Sequence, residues 1–301
     1  MFESSFIDKS YHSHSVSFEN YTEGKEKENI AKSWLTEDNV NVYRLNRIYR
    51  LLDPIITLFP HSHWLTVGDG RYGLDSIYLN KKGVNAFPTD ISDQLLKEAV
   101  KINLIKDYKK ENAEALSFGN ETFDFVFCKE AYHHFPRPSI ALYEMLRVAK
   151  LGVILIEPID RQILPWHQAL FFKAKNGVKK MLKKSVEKDF FEEDGNYLYA
   201  MSKREGEKFA LGLGLPKIIF NGINDIYFPG LEKAPLDKHN PLFKKMNRKL
   251  GFYNFFTKLG LLPYNLLFTF ILKKELSLEQ EAYLKQYNFE IVTLPKNPYL
   301  K

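Results

Sequence analysis

The 301-residue sequence predicts a doubly wound α/β fold, and three observations carry that expectation. Short apolar runs alternate with helical segments from residue 64 onward. The run "VILIEP" (153–158) has the apolar continuity expected of a strand covered on both faces. A glycine-rich turn, "GDGRYG" (68–73), joins the first apolar run to the first helical segment behind it. Strands alternating with helices imply parallel pairing through right-handed crossovers.

Residues 1–25 are polar, rich in Ser, His, Tyr and Glu, and read as an arm or loop. Helical character follows over 26–59, where Val42, Leu45, Ile48, Leu51 and Leu52 recur at the spacing of one buried helical face. "WLTV" (64–67) reads as the first strand, "LDSIYLNKK" (74–82) as a helix capped by Gly83, and "VNAFPTD" (84–90) as the second strand. Ser92 is placed to cap the next helix, with Asp93 in its first turn. A short third strand is expected near Tyr108–Glu111, and "FDFVFCK" (123–129) forms the fourth. "PSIALYEMLRVAK" (138–150) reads as a helix stopped near Gly152, with the fifth strand at 153–158.

The alternation loosens beyond Pro158. Two stretches are basic with apolar or aromatic residues interleaved, 171–191 and 240–263. Between them lie a helix (203–214) and either one strand or an Asn-Gly hairpin (216–228), and a late strand follows at 265–274.

Composition narrows the class. With 45% hydrophobic and 27% charged residues the chain is globular, not disordered. A single cysteine, Cys128, excludes an internal disulfide framework, disfavours a cysteine zinc site and fits a reducing, cytoplasmic setting. The N-terminus lacks a secretory pattern, and the longest mostly apolar stretch (261–272) is too short to cross a bilayer. A net charge of +6 is a modest excess that fits an acidic partner or, more commonly, solvated lysine faces.

Gly68, Gly70 and Gly73 fit G-x-G-x-x-G, a turn whose free N–H groups and helix dipole favour negative charge and whose missing side chains allow close approach. Asp90 lies 20 residues after Gly70, at the end of the second strand, where a carboxylate can hold a ribose diol. Turn and acid together point to an adenosine-containing ligand. Either a nicotinamide dinucleotide or S-adenosylmethionine satisfies them.

Five segments in order separate the two: "LTVGDGRYG", "AFPTDIS", "ENAEALSF", "FDFVFCKEAYHHF" and "LRVAKLGVILIEP". Over residues 60–158 this series resembles the class I S-adenosylmethionine-dependent methyltransferases, in particular their small-molecule, quinone- and sterol-methylating branch. The resemblance implies a Rossmann-like, seven-stranded mixed sheet with the late strand 265–274 inserted antiparallel. It implies that Gly68, Asp69 and Gly70 line the methionine and ribose region and that Asp90 holds the ribose hydroxyls. Ile91 and Ala113 would lie against the adenine, Asn112 at its amino group, and the Lys129 backbone at the methionine part. Two positions depart from the family: Thr66 replaces a common acidic residue, and Asn112 replaces an aspartate.

On this reading residues 1–59 cap the cofactor site, 60–160 bind S-adenosylmethionine, and 161–301 complete the sheet and form the acceptor side. The acceptor is a small molecule: a saccharide, a quinone or a lipid-linked intermediate. Oxygen acceptors need a base, for which His133 is the leading candidate with His134 and Glu130 as alternatives. The adjacent histidines do not form a metal pair, and no metal is expected. The basic-aromatic stretches admit three readings: solvated amphipathic helices, a lid that also touches an anionic membrane surface, or a nucleic-acid contact, the last disfavoured. A cofactor-binding scaffold without turnover is one alternative function, and a nicotinamide-dependent oxidoreductase another.

Overall fold

The computed structural model describes residues 4–181, 191 and 197–299. Four helices precede the first strand: α1 (Ser4–Glu19), α2 (Glu28–Ser33), α3 (Val40–Tyr49) and α4 (Asp53–Leu58). The expected N-terminal arm is thus a helix. Tyr11, His14 and Phe18 recur at i, i+3 and i+7 and line the central cleft together, which supplies the packing that a polar helix lacks by itself. Asn39 caps α3 by accepting from the Val42 N–H at 2.8 Å.

The α/β alternation then runs β1 (His63–Val67), α5 (Leu74–Lys81), β2 (Asn85–Asp90), α6 (Gln94–Lys101), β3 (Lys109–Lys110), β4 (Phe123–Lys129), α7 (Pro138–Val148) and β5 (Ala149–Pro158). The second half contributes α8 (Trp166–Met181), α9 (Lys203–Gly212), β6 (Lys217–Ile223), α10 (Pro241–Lys258), β7 (Leu266–Leu272), α11 (Leu278–Gln286) and β8 (Glu290–Thr293). The two basic stretches thus lie largely on α8 and α10, with residues 182–190 of the first outside the described residues.

One mixed sheet results, in the order β3-β2-β1-β4-β5-β7-β6-β8. β1 pairs parallel with both β2 and β4, so the strand order reverses beside it. β7 inserts antiparallel between β5 and β6, as expected for 265–274. An eighth strand, β8, adds antiparallel to β6 where seven strands were expected. The late Asn-Gly pair makes no hairpin. Asn221 and Gly222 lie inside β6, and a Cβ on Gly222 would fall 2.4 Å from the Tyr264 ring.

Two further boundaries differ from expectation. α7 ends at Val148 and β5 starts at Ala149, so Gly152 is a strand residue, not a helix stop. α6 has Asp93, not Ser92, at its N-cap position and no side-chain cap bond: Ser92 Oγ–H donates to Gln94 Oε1 at 2.5 Å, and Asp93 Oδ2 pairs with Lys97 at 3.0 Å. Gly83 does follow α5 with a left-handed φ of 88°.

Strand alternation builds two core layers. Leu65, Val67, Val126 and Leu155 face α7, packing on Ala141, Leu142 and Met145. Trp64, Phe125, Phe127, Phe268 and Phe270 face the other side, against Ile48, Leu52 and Ile55 of the N-terminal helices. Each of these fully buried aromatic side chains contributes about 2–3 kcal/mol of transfer free energy, which makes the sheet a rigid floor for the loops at its C-terminal edge.

Candidate active site

The cleft opens where α/β chemistry places it, outside the carboxyl ends of β1, β2 and β4 at the switch in strand order. Gly68, Asp69, Asp90, Ile91, Ala113 and Lys129 all line it, six of the eight residues expected at the cofactor. Gly70 lies behind Asp90 and Asn112 lies outside the lining, its Oδ1 accepting from the Glu114 N–H at 2.9 Å.

Two glycines are demanded by close approach. Gly68 has φ +78°, and a Cβ there would fall 2.3 Å from the Ala131 Cβ. A Cβ on Gly70 would fall 2.8 Å from the Asp90 carboxyl carbon. That space lets Gly70 N–H donate to Asp90 Oδ2 at 2.8 Å while Ser92 N–H donates to Oδ1 at 2.7 Å. Asp90 is thereby fixed from both of its oxygens. Burial pushes its carboxyl up to about 6, a rise that the Ser92, Gly70 and Ile91 N–H groups only partly offset.

The turn does not present the free amides expected from its sequence. Gly68 and Asp69 N–H both donate to Thr89 O at 3.1 Å, Tyr72 N–H to Gly70 O and Gly73 N–H to Asp69 O, also at 3.1 Å. With Gly70 N–H on Asp90, five of the six amides of residues 68–73, all but that of Arg71, are engaged within the protein. This geometry suits a ligand with a ribose diol and no phosphate at the turn.

Asp69 is an internal organiser. Its Oδ1 accepts from Asp75 N–H at 3.0 Å and its Oδ2 from Ser76 N–H at 2.9 Å and Thr66 Oγ1–H at 2.8 Å. It therefore satisfies the N-terminus of α5 from outside the helix. Burial, then the nearby Asp75 charge, raise its carboxyl well above the usual range. Thr66, the departure from the family, is the donor that completes this cap. Lys129 is also internal: its Nζ lies 3.3 Å from Asp75 Oδ1, which accepts from Tyr49 Oη–H at 2.6 Å. Burial lowers the Lys129 ammonium, and the charges of Asp75 and then Glu130 more than reverse it, leaving it raised.

A second cavity, of about 560 Å³, adjoins the first and shares Arg71, Glu130 and His134 with it. His133 faces this outer cavity. Its Nδ1 lies 2.5 Å from Glu157 Oε2, and Glu157 is fully buried at the end of β5. Ala131 and Tyr132 N–H each donate to Glu157 Oε1 at 3.1 Å, which holds the carboxylate in place. Glu157 went unnoticed in the sequence, where it ends an apolar strand; only a charge inside "VILIEP" marked it. The His134 ring lies against His133 at a tilt of 41°, with centroids 3.9 Å apart. At Glu130, burial raises the carboxyl, but Lys129, Arg44, Arg71 and His133 outweigh it and hold the group below its usual range. Such a carboxylate is a poor proton acceptor.

No group of three or more His, Cys, Asp or Glu side chains is placed to hold a metal among the described residues. No helix among them is long and apolar enough to cross a membrane.

Residues 65–156 match the family model described as a methyltransferase domain. A 115-residue stretch, 37% of this chain, is 33% identical to the 2-methyl-6-phytyl-1,4-hydroquinone methyltransferase of Synechocystis sp. (strain ATCC 27184 / PCC 6803 / Kazusa). The match spans 34% of that relative's length. Among solved structures, magnesium protoporphyrin IX methyltransferase of Synechocystis PCC 6803 superimposes with TM-score 0.44 and 15% identity, covering 75% of this chain and 91% of that one. A SAM-dependent methyltransferase of Methanosarcina mazei gives TM-score 0.44 and 20% identity over 74% and 98% of the two chains. The match to a methyltransferase-domain model spans residues 65–156, under a third of the chain, and falls on the strands and turns that line the inner cleft.

Proposed function

We propose that this protein transfers a methyl group from S-adenosylmethionine to a hydroxyl of a small-molecule acceptor. The observation that carries the reading is the junction of two cavities, a diol-ready Asp90 in one and the His133–Glu157 pair in the other. The residues present fit the cofactor. Asp90 is held with its carboxyl in the cleft lining to accept from the ribose hydroxyls, Ile91 and Ala113 offer an apolar slot for the adenine, and Gly68 admits the methionine part to the end of β1.

The chemistry available there is displacement of an electrophilic methyl group from a sulfonium sulfur by an acceptor oxygen. The oxygen–carbon bond forms as the carbon–sulfur bond breaks, and the hydroxyl proton must leave. Nδ1–H of His133 donates to Glu157, which sets the tautomer so that Nε2 is the basic nitrogen that takes that proton. Glu157 acts as a positioning residue: it orients the ring and stabilises the imidazolium once formed. α1 caps the cleft, because Ser10, Tyr11 and His14 line it.

The lone, buried Cys128 supports a cytoplasmic setting. Titration calorimetry with S-adenosylhomocysteine, with NADH in parallel and repeated on Asp90→Ala, tests the donor half. Binding of the homocysteine compound that the substitution abolishes is the expected result; binding of NADH instead would overturn it.

A further inference from the structure

We infer that the face built by α8 and α10 docks the protein on an anionic lipid bilayer, where it lies among the headgroups. The inference goes beyond the methyl-transfer reading and does not depend on it.

The two helices pack antiparallel. Gln168 Nε2–H donates to Gly260 O at 3.0 Å, His167 Nε2 lies 3.2 Å from the same oxygen, and Lys175 Nζ–H donates to Tyr253 Oη at 3.0 Å. Each helix turns an apolar stripe to solvent. Trp166 and Leu170, at i and i+4 on α8, are 79% and 58% exposed. Phe252, Phe255 and Leu259, at i, i+3 and i+7 along α10 and its C-cap, are between 48% and 59% exposed. A different stripe of α10, through Met246 and Leu250, is the one buried against the protein. α10 is thus apolar on two sides, and the fold uses only one. A single exposed apolar side chain needs no explanation, but aligned stripes on two neighbouring helices do.

Charge identifies what covers them. α8 carries four lysines, α10 four lysines and an arginine, and neither helix has an acidic residue. Those nine cations exceed the net charge of +6 for the whole chain, so the rest of the protein is net negative. Lys173 and Lys258 follow Leu170 and Phe255 by three positions and are exposed beside them. Apolar side chains set among cations match a bilayer, whose headgroups are negative and whose acyl chains lie just beneath. Trp166 suits headgroup depth, where an indole keeps its ring in apolar surroundings and its N–H wet. Leu170 and Leu259 disfavour a nucleic-acid partner, since aliphatic side chains give bases no planar face to stack on.

The face also borders the outer cavity. Arg161 in the cavity wall lies over the Phe172 ring of α8 at 5.2 Å. Asn224, next to Asp225 of that wall, donates from Nδ2 to Asn254 Oδ1 and Thr257 Oγ1 of α10, each at 3.0 Å. Docking through α8 and α10 therefore holds the cavity close to the headgroups.

The test is vesicle binding by the full chain, read by flotation and by tryptophan emission. Of the three tryptophans, Trp34 and Trp64 are buried, so a vesicle-dependent change in emission reports Trp166. Phosphatidylcholine vesicles with about one-third phosphatidylglycerol should bind the protein about tenfold or more tighter than pure phosphatidylcholine, shift its emission to the blue and, with brominated acyl chains, quench it. Leu170→Ser with Phe255→Ser, and separately Lys173→Glu with Lys258→Glu, should each weaken binding about tenfold or more. All four side chains are exposed, so both variants should fold, and the wild-type quenching carries the test where one does not. No binding to anionic vesicles, binding without acyl-chain quenching, binding indifferent to both double variants, or preference for a single-stranded oligonucleotide over the vesicles overturns the inference. The assay contains no cofactor, so failure of S-adenosylhomocysteine to bind would be seen separately and would leave its outcome unchanged.

Discussion

His133 Nδ1 and Glu157 Oε2 face each other at 2.5 Å, and the carboxylate is held from its other oxygen by two backbone N–H groups. The loop after β4 and the end of β5 are thereby locked together at the edge of the outer cavity. Main-chain bonds fix the acid, and the acid fixes the imidazole.

Glu157→Gln separates catalysis from binding. Glutamine keeps an acceptor for Ala131 and Tyr132 N–H but turns an amide toward His133 Nδ1, which disfavours the productive tautomer. Turnover should fall about 10²–10⁴-fold while the dissociation constant for S-adenosylhomocysteine stays the same. A pH–rate profile checks the role: if Glu157 stabilises the imidazolium, the acidic limb set by His133 should move to lower pH in the variant, and an unchanged profile marks mere support.

Asp90 sets a pH dependence of donor binding. Burial raises its carboxyl to about 6, and a ribose diol needs the ionised form as acceptor. Above pH 7 the group is charged and affinity should be flat. As pH falls through 6 the proton competes with the ligand, and the dissociation constant should rise about tenfold per unit. Calorimetry between pH 5 and 8 on wild type and Asp90→Asn checks this; the variant should bind weakly with no such slope.

Much of the fold and the donor half of the site were legible from local pattern. Apolar runs and helical periodicity located the strands through β5, and the spacing from Gly70 to Asp90 reflects a bond that forms at 2.8 Å. What stayed hidden was long-range. α1 is helical because Tyr11, His14 and Phe18 reach the cleft, a partner that no local pattern names. Gly152 reads as a helix stop until β7 lies beside it. Glu157 and Asp225 look like charges bordering strands, and only the sheet order sets one behind His133 and the other in the wall of the outer cavity.

Thr66 tests what replaced the family's acidic residue. Its hydroxyl donates to Asp69 Oδ2 at 2.8 Å inside a fully buried site, and that carboxylate satisfies the first turn of α5. Thr66→Val removes one donor and should cost about 1–2 kcal/mol. Asp69→Ala removes the acceptor of three bonds and should cost about 2–4 kcal/mol and weaken S-adenosylhomocysteine binding as the turn relaxes. Thermal unfolding of both variants gives the order; equal losses would show that the cap is not what Asp69 contributes.

The same substitution should have opposite signs at two glycines. Gly152 pairs with Leu272 across β5 and β7, and a Cβ there would fall 2.4 Å from the Ile271 carbonyl oxygen and 2.8 Å from the Phe270 ring. Neither neighbour can yield easily, because one is ladder backbone and the other is buried in the aromatic layer. Gly152→Ala should therefore destabilise by about 1–3 kcal/mol or more, through strand separation at the centre of the sheet. Gly251 lies within α10 with nothing inside 4 Å of the same added atom. There alanine only removes backbone freedom from the unfolded chain, and a gain of about 0.5–1 kcal/mol is expected. Denaturant unfolding of the two variants measures both signs at once, and a loss at Gly251 as large as that at Gly152 would mean that close packing of β5 on β7 is not what requires the glycine.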